Sequence, residues 1–295
     1  MSARAAYLPD GRLHLSHGPI DCLCRAAGEA DEIARAYAQA EAAFPDILPS
    51  LCAELPRLRA PLPAHPPAGA PVGAIGRAMY AACAPFADRF ITPMAAVAGA
   101  AADAVLAAMT AGRDLRRAFV NNGGDIAFFL APGERLRAGL VTDLAAPALD
   151  GVFMLDASLA ARGLATSGRA CKGAGGKSFS LGIADAVSVL ARDAAAADAA
   201  ATMIANAVDL PGHPAIGRRP ASEIDAASDL GARLVTLAVG DLTALEIRAA
   251  LDAGRRFAEA LRARGLITGA VLALRGVIAT VLPAPSDAVP FLEVA

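Results

Sequence analysis

FVNNGGDIAFFL, residues 119–130, decides the fold. Apolar residues flank five that have no place inside a buried strand: Asn121, Asn122, Gly123, Gly124 and Asp125. Asparagine and glycine tolerate positive φ and supply turns, so the minimal reading is a β-hairpin with RRAFV leading in and IAFFLA leading out. The polar run is longer than a two-residue turn needs. Its amides, carboxylate and backbone N–H groups also suit a ligand with hydrogen-bonding edges and phosphates. Both readings stay open on the sequence.

Upstream of the hairpin, ITPMAAVAGAAADAVLAAMTAG predicts a helix from about Pro93 to Ala111, with Thr92 as N-cap, Pro93 at the first helical position and Gly112 beyond the end. Its small residues let another backbone or a ligand approach closely. Farther upstream, AAYLPDGRLHL and IDCLCRA read as strands around a Pro-Asp-Gly turn. Residues 29–58 read as helix, bent or ended by Pro45 and Pro49, and residues 60–73 as a Pro/Gly-rich connector. Downstream, LRAGLVTDL and GVFMLDAS are strand-like, DAAAADAAATMIANAV is a second alanine-rich helix, and the tail from about Ala226 predicts strand, helix and two strands.

The whole chain has 295 residues, enough for a sizeable core, and 56% are hydrophobic, many of them alanine, with no Trp. A net charge of −2 and a pI near 6.1 carry no nucleic-acid footprint. No run approaches the ~18 uninterrupted large apolar residues of a membrane span, and the first residues lack the apolar centre of a signal peptide. Five cysteines without framework spacing fit a reducing compartment. A cytoplasmic globular protein is expected.

Two further polar features stand out. Ala165-Thr166-Ser167-Gly168-Arg169, followed by Lys172, Gly173, Gly175, Gly176 and Lys177, offers hydroxyls, three cations and backbone amides. It reads either as a phosphate cradle or as a surface loop, and its spacing is not that of a P-loop. Asp198 and Thr202 stand at i and i+4 of the second alanine-rich helix. They project from one face, as a hard-oxygen pair suited to Mg²⁺ or as a polar edge. His14, His17, Cys22 and Cys24 are zinc-capable, but C-x-C on a strand favours buried thiols on a sheet. His65 and His213 have no partners nearby in sequence.

Taken in order, VAGAAADAVLAAMTAGRDLRRAFVNNGGDIAFFL, LATSGR and ADAAAT resemble the ApbE-like superfamily, which includes the FAD:protein FMN transferases. The motifs of those enzymes read roughly K-G-Y-A-x-D, N-x-G-G-D, A-T-S-G and A-D-A-x-x-T. Pro93–Gly99, Asn122–Asp125 and Ser178–Val187 are similar to the UPF0280 branch. The resemblance covers nearly the whole chain. It implies an α+β fold of T-fold-like units, antiparallel sheet packed on paired helices, in a single domain over 1–295. It also implies a site for FAD or FMN or another phosphorylated heterocycle, lined by Asn121, Asn122, Gly123, Gly124, Asp125, Thr166, Ser167 and Gly168. Mg²⁺ would sit on Asp198 and Thr202. The chain carries Ala98 and Ala100 where the transferases have Lys and Tyr, and lacks their H-x-x-D-P-x-T-G segment. Three functions follow: a divergent transferase, a flavin- or pterin-binding protein without turnover, or an oligomeric scaffold. The partner is a small molecule, with neither nucleic acid nor membrane expected and a homo-oligomer implied.

Overall fold

In the computed structural model, which describes residues 2–62, 71–170, 179–282 and 292–294, the hairpin is formed. The chain opens with β1 (Arg4–Tyr7), β2 (Leu13–His17) and β3 (Ile20–Gly28), then α1 (Ala30–Ala43), α2 (Ile47–Ala53), α3 (Leu55–Leu58), α4 (Ala74–Cys83) and α5 (Val97–Thr110). Next come β4 (Leu115–Asn122), β5 (Asp125–Leu130), β6 (Arg135–Leu140), β7 (Gly151–Asp156), β8 (Gly163–Ser167), β9 (Ala186–Ala191) and α6 (Ala194–Ala207). The chain continues through β10 (Ile216–Pro220), α7 (Ala221–Ile224), β11 (Leu234–Val239), α8 (Ala244–Ala263), β12 (Gly269–Leu274), β13 (Val277–Val281) and β14 (Leu292–Val294). The class is α+β, and the strand pairings are antiparallel.

The chain's contacts divide it into two compact units, each drawn from several segments. Unit 1 comprises residues 1–137, 154–165 and 191–199, and unit 2 comprises 138–153, 166–190 and 200–295. The sequence expectation of one domain thus meets a chain that passes repeatedly between two units.

In unit 1, β1 to β5 pair in sequence order, and Gly163 and Leu164 of β8 pair with β5. Side chains on β2 and β3 alternate between buried and more exposed positions, as one covered sheet face requires. Cys22 and Cys24 are buried on that face, and burial raises both thiol pKa values, Cys22 to about 12. Helix α5 packs on β4 and β5, with α1 beside it. Pro93–Ala96 form a 3₁₀ turn, so the expected helix from Pro93 becomes α-helical only at Val97. Pro93–Thr110 is apolar enough, at 18 residues and mean hydropathy 1.4, to match a membrane span by length and composition. In this fold Gly99, Ala100, Ala101, Ala102, Val105 and Met109 are buried, and the helix is a core element of its unit.

In unit 2, β9, β12 and β13 pair in that order, with α8 packed on β12 and β13, and β10 pairs with β11. Helix α8 starts with a capping box. Thr243 Oγ1 accepts the Glu246 N–H, and Glu246 accepts the Thr243 N–H at 2.7 Å. His213, without a partner nearby in sequence, meets Glu246 across the fold at 2.9 Å.

Candidate functional site

The turn of the N-N-G-G-D hairpin is Gly123-Gly124, with φ values of 64° and 109°, and Asn122 faces Asp125 as the last strand pair. Two positive φ values in a two-residue loop match the right-handed twist of the flanking strands, which is why glycine occupies both. Asn121 and Asn122 are therefore strand residues. The Asn121 Oδ1 accepts the Gly124 N–H at 2.8 Å and closes the turn. Asn122 and Asp125 are buried, Gly123 is exposed, and Asn121 and Gly124 lie between.

Asn122 does more than end a strand. Its Nδ2 donates to the Ala98 carbonyl at 3.0 Å, and its Oδ1 accepts the Asp21 N–H at 3.2 Å. The next backbone amide along, Gly99 N–H, donates to Asp198 Oδ2 at 3.1 Å. The hairpin and the A-D-A-A-A-T helix thus grip adjacent residues, Ala98 and Gly99, at the start of α5. That contact uses the backbone of Ala98, so the absence of a long side chain there does not weaken it.

Gly99 is required by packing. A Cβ there would lie 2.2 Å from the Ala194 carbonyl oxygen and 2.8 Å from the Ala195 nitrogen. The start of α5 is pressed on the first turn of α6. Asp103, one turn farther along α5, caps that turn: its two carboxylate oxygens accept the Ala194 and Ala195 N–H groups at 3.0 and 2.9 Å. Asp193 Oδ1 accepts the Ala196 N–H at 2.7 Å. Two carboxylates at a helix N-terminus complement its orphan donors and its dipole.

Burial dominates the titration of both α5–α6 aspartates. It raises the Asp103 carboxyl to about 6, against the opposing pull of the two amides it caps. It raises Asp198 as well, again against backbone donors, with the nearby Asp103 charge adding to the rise. Asp198 nonetheless keeps partial access to solvent. A buried carboxyl of this kind releases its proton more readily when a cation comes beside it. Among the described residues no group of three or more His, Cys, Asp or Glu side chains could hold a metal by itself.

Of the A-T-S-G residues, Thr166, Ser167 and Gly168 lie in unit 2. Thr166 and Ser188 hydroxyls are 2.7 Å apart, and Thr202 Oγ1 donates to Ser167 Oγ at a long 3.5 Å. Gly168 has φ +153°, and a Cβ there would lie 2.2 Å from the Asp185 carbonyl oxygen, so only glycine fits. Lys172, Gly173, Gly175, Gly176 and Lys177 lie outside the described residues. Asp198 and Thr202 stand one turn apart on α6, as the sequence spacing requires. Asp103, absent from the sequence-derived site, is the chief addition. It is the one charged residue of α5, among apolar and small neighbours, and it ends the segment that resembles K-G-Y-A-x-D.

Three UPF0280 proteins are similar in sequence. That of Methanothrix thermoacetophila is 42% identical over 119 residues, 40% of this chain and 46% of the relative. That of Methanothermobacter thermautotrophicus is 36% identical over 121 residues, 41% and 44%. That of Methanosphaerula palustris is 38% identical over 118 residues, 40% and 47%. The chain thus matches under half the length of these relatives. Among solved structures, the apo form of the flavinyl transferase ApbE of Pseudomonas stutzeri is 13% identical, with TM-score 0.42 and 97% of each chain covered. The ApbE protein of Thermotoga maritima is 17% identical, with TM-score 0.37, 67% of this chain and 52% of the other covered. The family described as "AbpE bacteria" matches residues 5–280, and the chain belongs to that family.

Proposed function

We propose that this protein binds a flavin nucleotide or a similar phosphorylated heterocycle together with Mg²⁺. The observation that carries the reading is the double grip on Ala98 and Gly99 by Asn122 and Asp198. Two polar motifs, 76 positions apart by their numbers, are held against one helix start, and one of them is a carboxyl whose burial favours protonation. A desolvated carboxyl held by a buried glycine N–H would suit a cation that carries an anionic ligand.

The residues fit the metal in kind. Mg²⁺ takes hard oxygen donors, commonly one or two carboxylates, with waters and substrate phosphates completing the shell. Asp198 would be the carboxylate and Thr202 the hydroxyl donor. When bound, the ion would neutralise phosphate charge. The protein's own part is to hold the Asp198 carboxyl in place through the Gly99 N–H. Within unit 1 the Asn121–Asp125 turn would offer hydrogen-bonding groups to a polar ring edge, and within unit 2 Thr166, Ser167 and Gly168 would offer hydroxyl and backbone groups to phosphate.

The family membership, and the flavinyl-transferase activity named for the Pseudomonas stutzeri protein, support a flavin as the ligand to try first. The test is titration with FAD, with and without Mg²⁺, read by flavin fluorescence and by chromatography for AMP. Mg²⁺-dependent binding with AMP release supports a transferase. Binding without AMP supports a flavin-binding protein without turnover. No binding of FAD, FMN or a pterin sinks the proposal and favours the scaffold.

A further inference from the structure

Unit 2 brings Arg169, which follows the T-S-G turn, together with Arg275, which none of the sequence motifs accounts for. The β12–β13 hairpin turns on Arg275-Gly276, with φ values of 51° and 74°. Arg275 is the one non-glycine residue with positive φ among the described residues. Asn, Asp or Gly is the usual choice at such a position, and a long side chain there is strained against its own backbone. Something other than the turn keeps an arginine.

Its surroundings show what the side chain reaches. The Arg275 N–H donates to Asp185 Oδ2, and its Nη2 donates to the Val239 carbonyl and, at 2.9 Å, to the Gly240 carbonyl. Arg169, directly after the T-S-G turn, sends its Nη2 to the Leu237 carbonyl at 3.3 Å. Two guanidinium groups are therefore anchored to the same four-residue stretch, 237–240. Backbone contacts hold the surroundings: Arg169 N–H donates to Ala184 O at 2.9 Å, Ala170 N–H to Asp185 O at 2.9 Å, and Asp185 N–H to Ala273 O at 3.0 Å.

Among the described residues neither Arg169 nor Arg275 takes part in an ion pair, whereas Arg218 in the same unit pairs with Asp209. The Asp185 carboxylate beside them accepts the Arg275 backbone N–H through Oδ2. Burial lowers the Arg169 pKa, Asp185 opposes that, and the nearby Arg275 charge adds a smaller lowering, so the two cations feel each other. Arginines anchored through one nitrogen to neutral carbonyls keep the rest of their planar fork for an anion, and two forks suit the adjacent phosphates of a diphosphate.

We infer that Arg169 and Arg275, fixed to the 237–240 backbone beside the T-S-G turn, form a subsite for a diphosphate group. This deepens the nucleotide reading above and rests on it for the ligand's ring, though not for the anion itself. The subsite gives the left-handed arginine a purpose: the turn holds its backbone while the guanidinium is aimed across the unit.

The test uses inorganic pyrophosphate as probe, by calorimetry on the full chain, with Arg275→Gly and Arg169→Gln. Glycine suits the left-handed position, so Arg275→Gly removes the cation while relieving the turn, and its melting temperature is expected at or above that of the parent. Pyrophosphate binding weakened at least tenfold in each variant, with folding kept, supports the subsite. FMN and riboflavin then separate the two proposals: loss of FMN affinity with riboflavin unaffected places the flavin phosphate here, and pyrophosphate binding without any flavin binding keeps the subsite while sinking the flavin reading. Absence of pyrophosphate binding by the parent, or equal affinity in parent and both variants, overturns the inference.

Discussion

Replacing Gly99 by alanine tests the junction that brings the candidate site together. The added Cβ would sit 2.2 Å from the Ala194 carbonyl oxygen, 2.4 Å from its carbon and 2.8 Å from the Ala195 nitrogen. Ordinary contact begins near 3.4 Å, so one helix start must move by about 1 Å or more. Both obstacles are backbone, and no flexible side chain can swing aside. Overpacking of this kind costs typically ~1–3 kcal/mol, and a backbone-on-backbone clash belongs at the upper end. Alanine's better helix propensity returns ~1 kcal/mol, leaving a net loss of about 2 kcal/mol. For a chain of 295 residues that corresponds to a fall of roughly 3 °C in Tm. Urea and thermal unfolding by circular dichroism would measure it, with Ala107→Gly, at an exposed position of the same helix, reporting the propensity term alone. The displacement also pulls the Gly99 N–H from Asp198, so Mg²⁺-dependent ligand binding should fall further than stability explains. A Gly99→Ala protein as stable as the parent, or more stable, would refute the packing account.

Three other outcomes are expected. Asn122→Ala leaves the Ala98 carbonyl and the Asp21 N–H without their side-chain partner and should cost about 1–3 kcal/mol, read by urea unfolding, as well as weakening ligand binding; binding loss with no stability loss would show that Asn122 is not part of the frame. Asp103, raised from 3.8 to about 6, binds its proton more tightly folded than unfolded, so its contribution to stability is greatest below about pH 4 and falls as pH rises toward 6, by at most ~3 kcal/mol; a stability profile whose slope over that window is the same in Asp103→Asn would contradict this. Thr243→Ala should cost about 1 kcal/mol through loss of the α8 cap, measured by thermal unfolding, and a neutral result would mean that the His213–Glu246 contact alone holds the helix start.

The elements with strong local signals were legible in the sequence. The hairpin at 119–130, the proline-broken helices after residue 29 and the strand–helix–strand–strand tail each follow from turn residues and periodicity, and the structure has them. Asn122 and Asp198 could be singled out as polar interruptions in apolar surroundings, but not the helix start they share, because that contact runs through the Ala98 and Gly99 backbone and leaves no pattern. Strand β9 escaped notice since A-V-S-V-L-A is buried throughout and shows neither helical nor alternating periodicity. Strand β10, I-G-R-R-P, carries a glycine and a proline that argue against a strand. The two units could not be read either: the chain crosses between them inside β6, β7, β8 and α6 and between β9 residues, so no linker marks the division. Asp103 was within reach. A lone aspartate in V-A-G-A-A-A-D-A-V-L-A-A-M-T must find partners, and the only question was which.

The most direct test of the proposed site is calorimetric titration of FAD in the presence of Mg²⁺ into the parent protein and into Asp198→Asn, with unfolding curves for both. The account predicts Mg²⁺-dependent binding by the parent that Asp198→Asn loses while staying folded, because asparagine can keep the Gly99 N–H contact but brings no charge to the metal. Equal binding by both proteins, or binding indifferent to Mg²⁺, would contradict it.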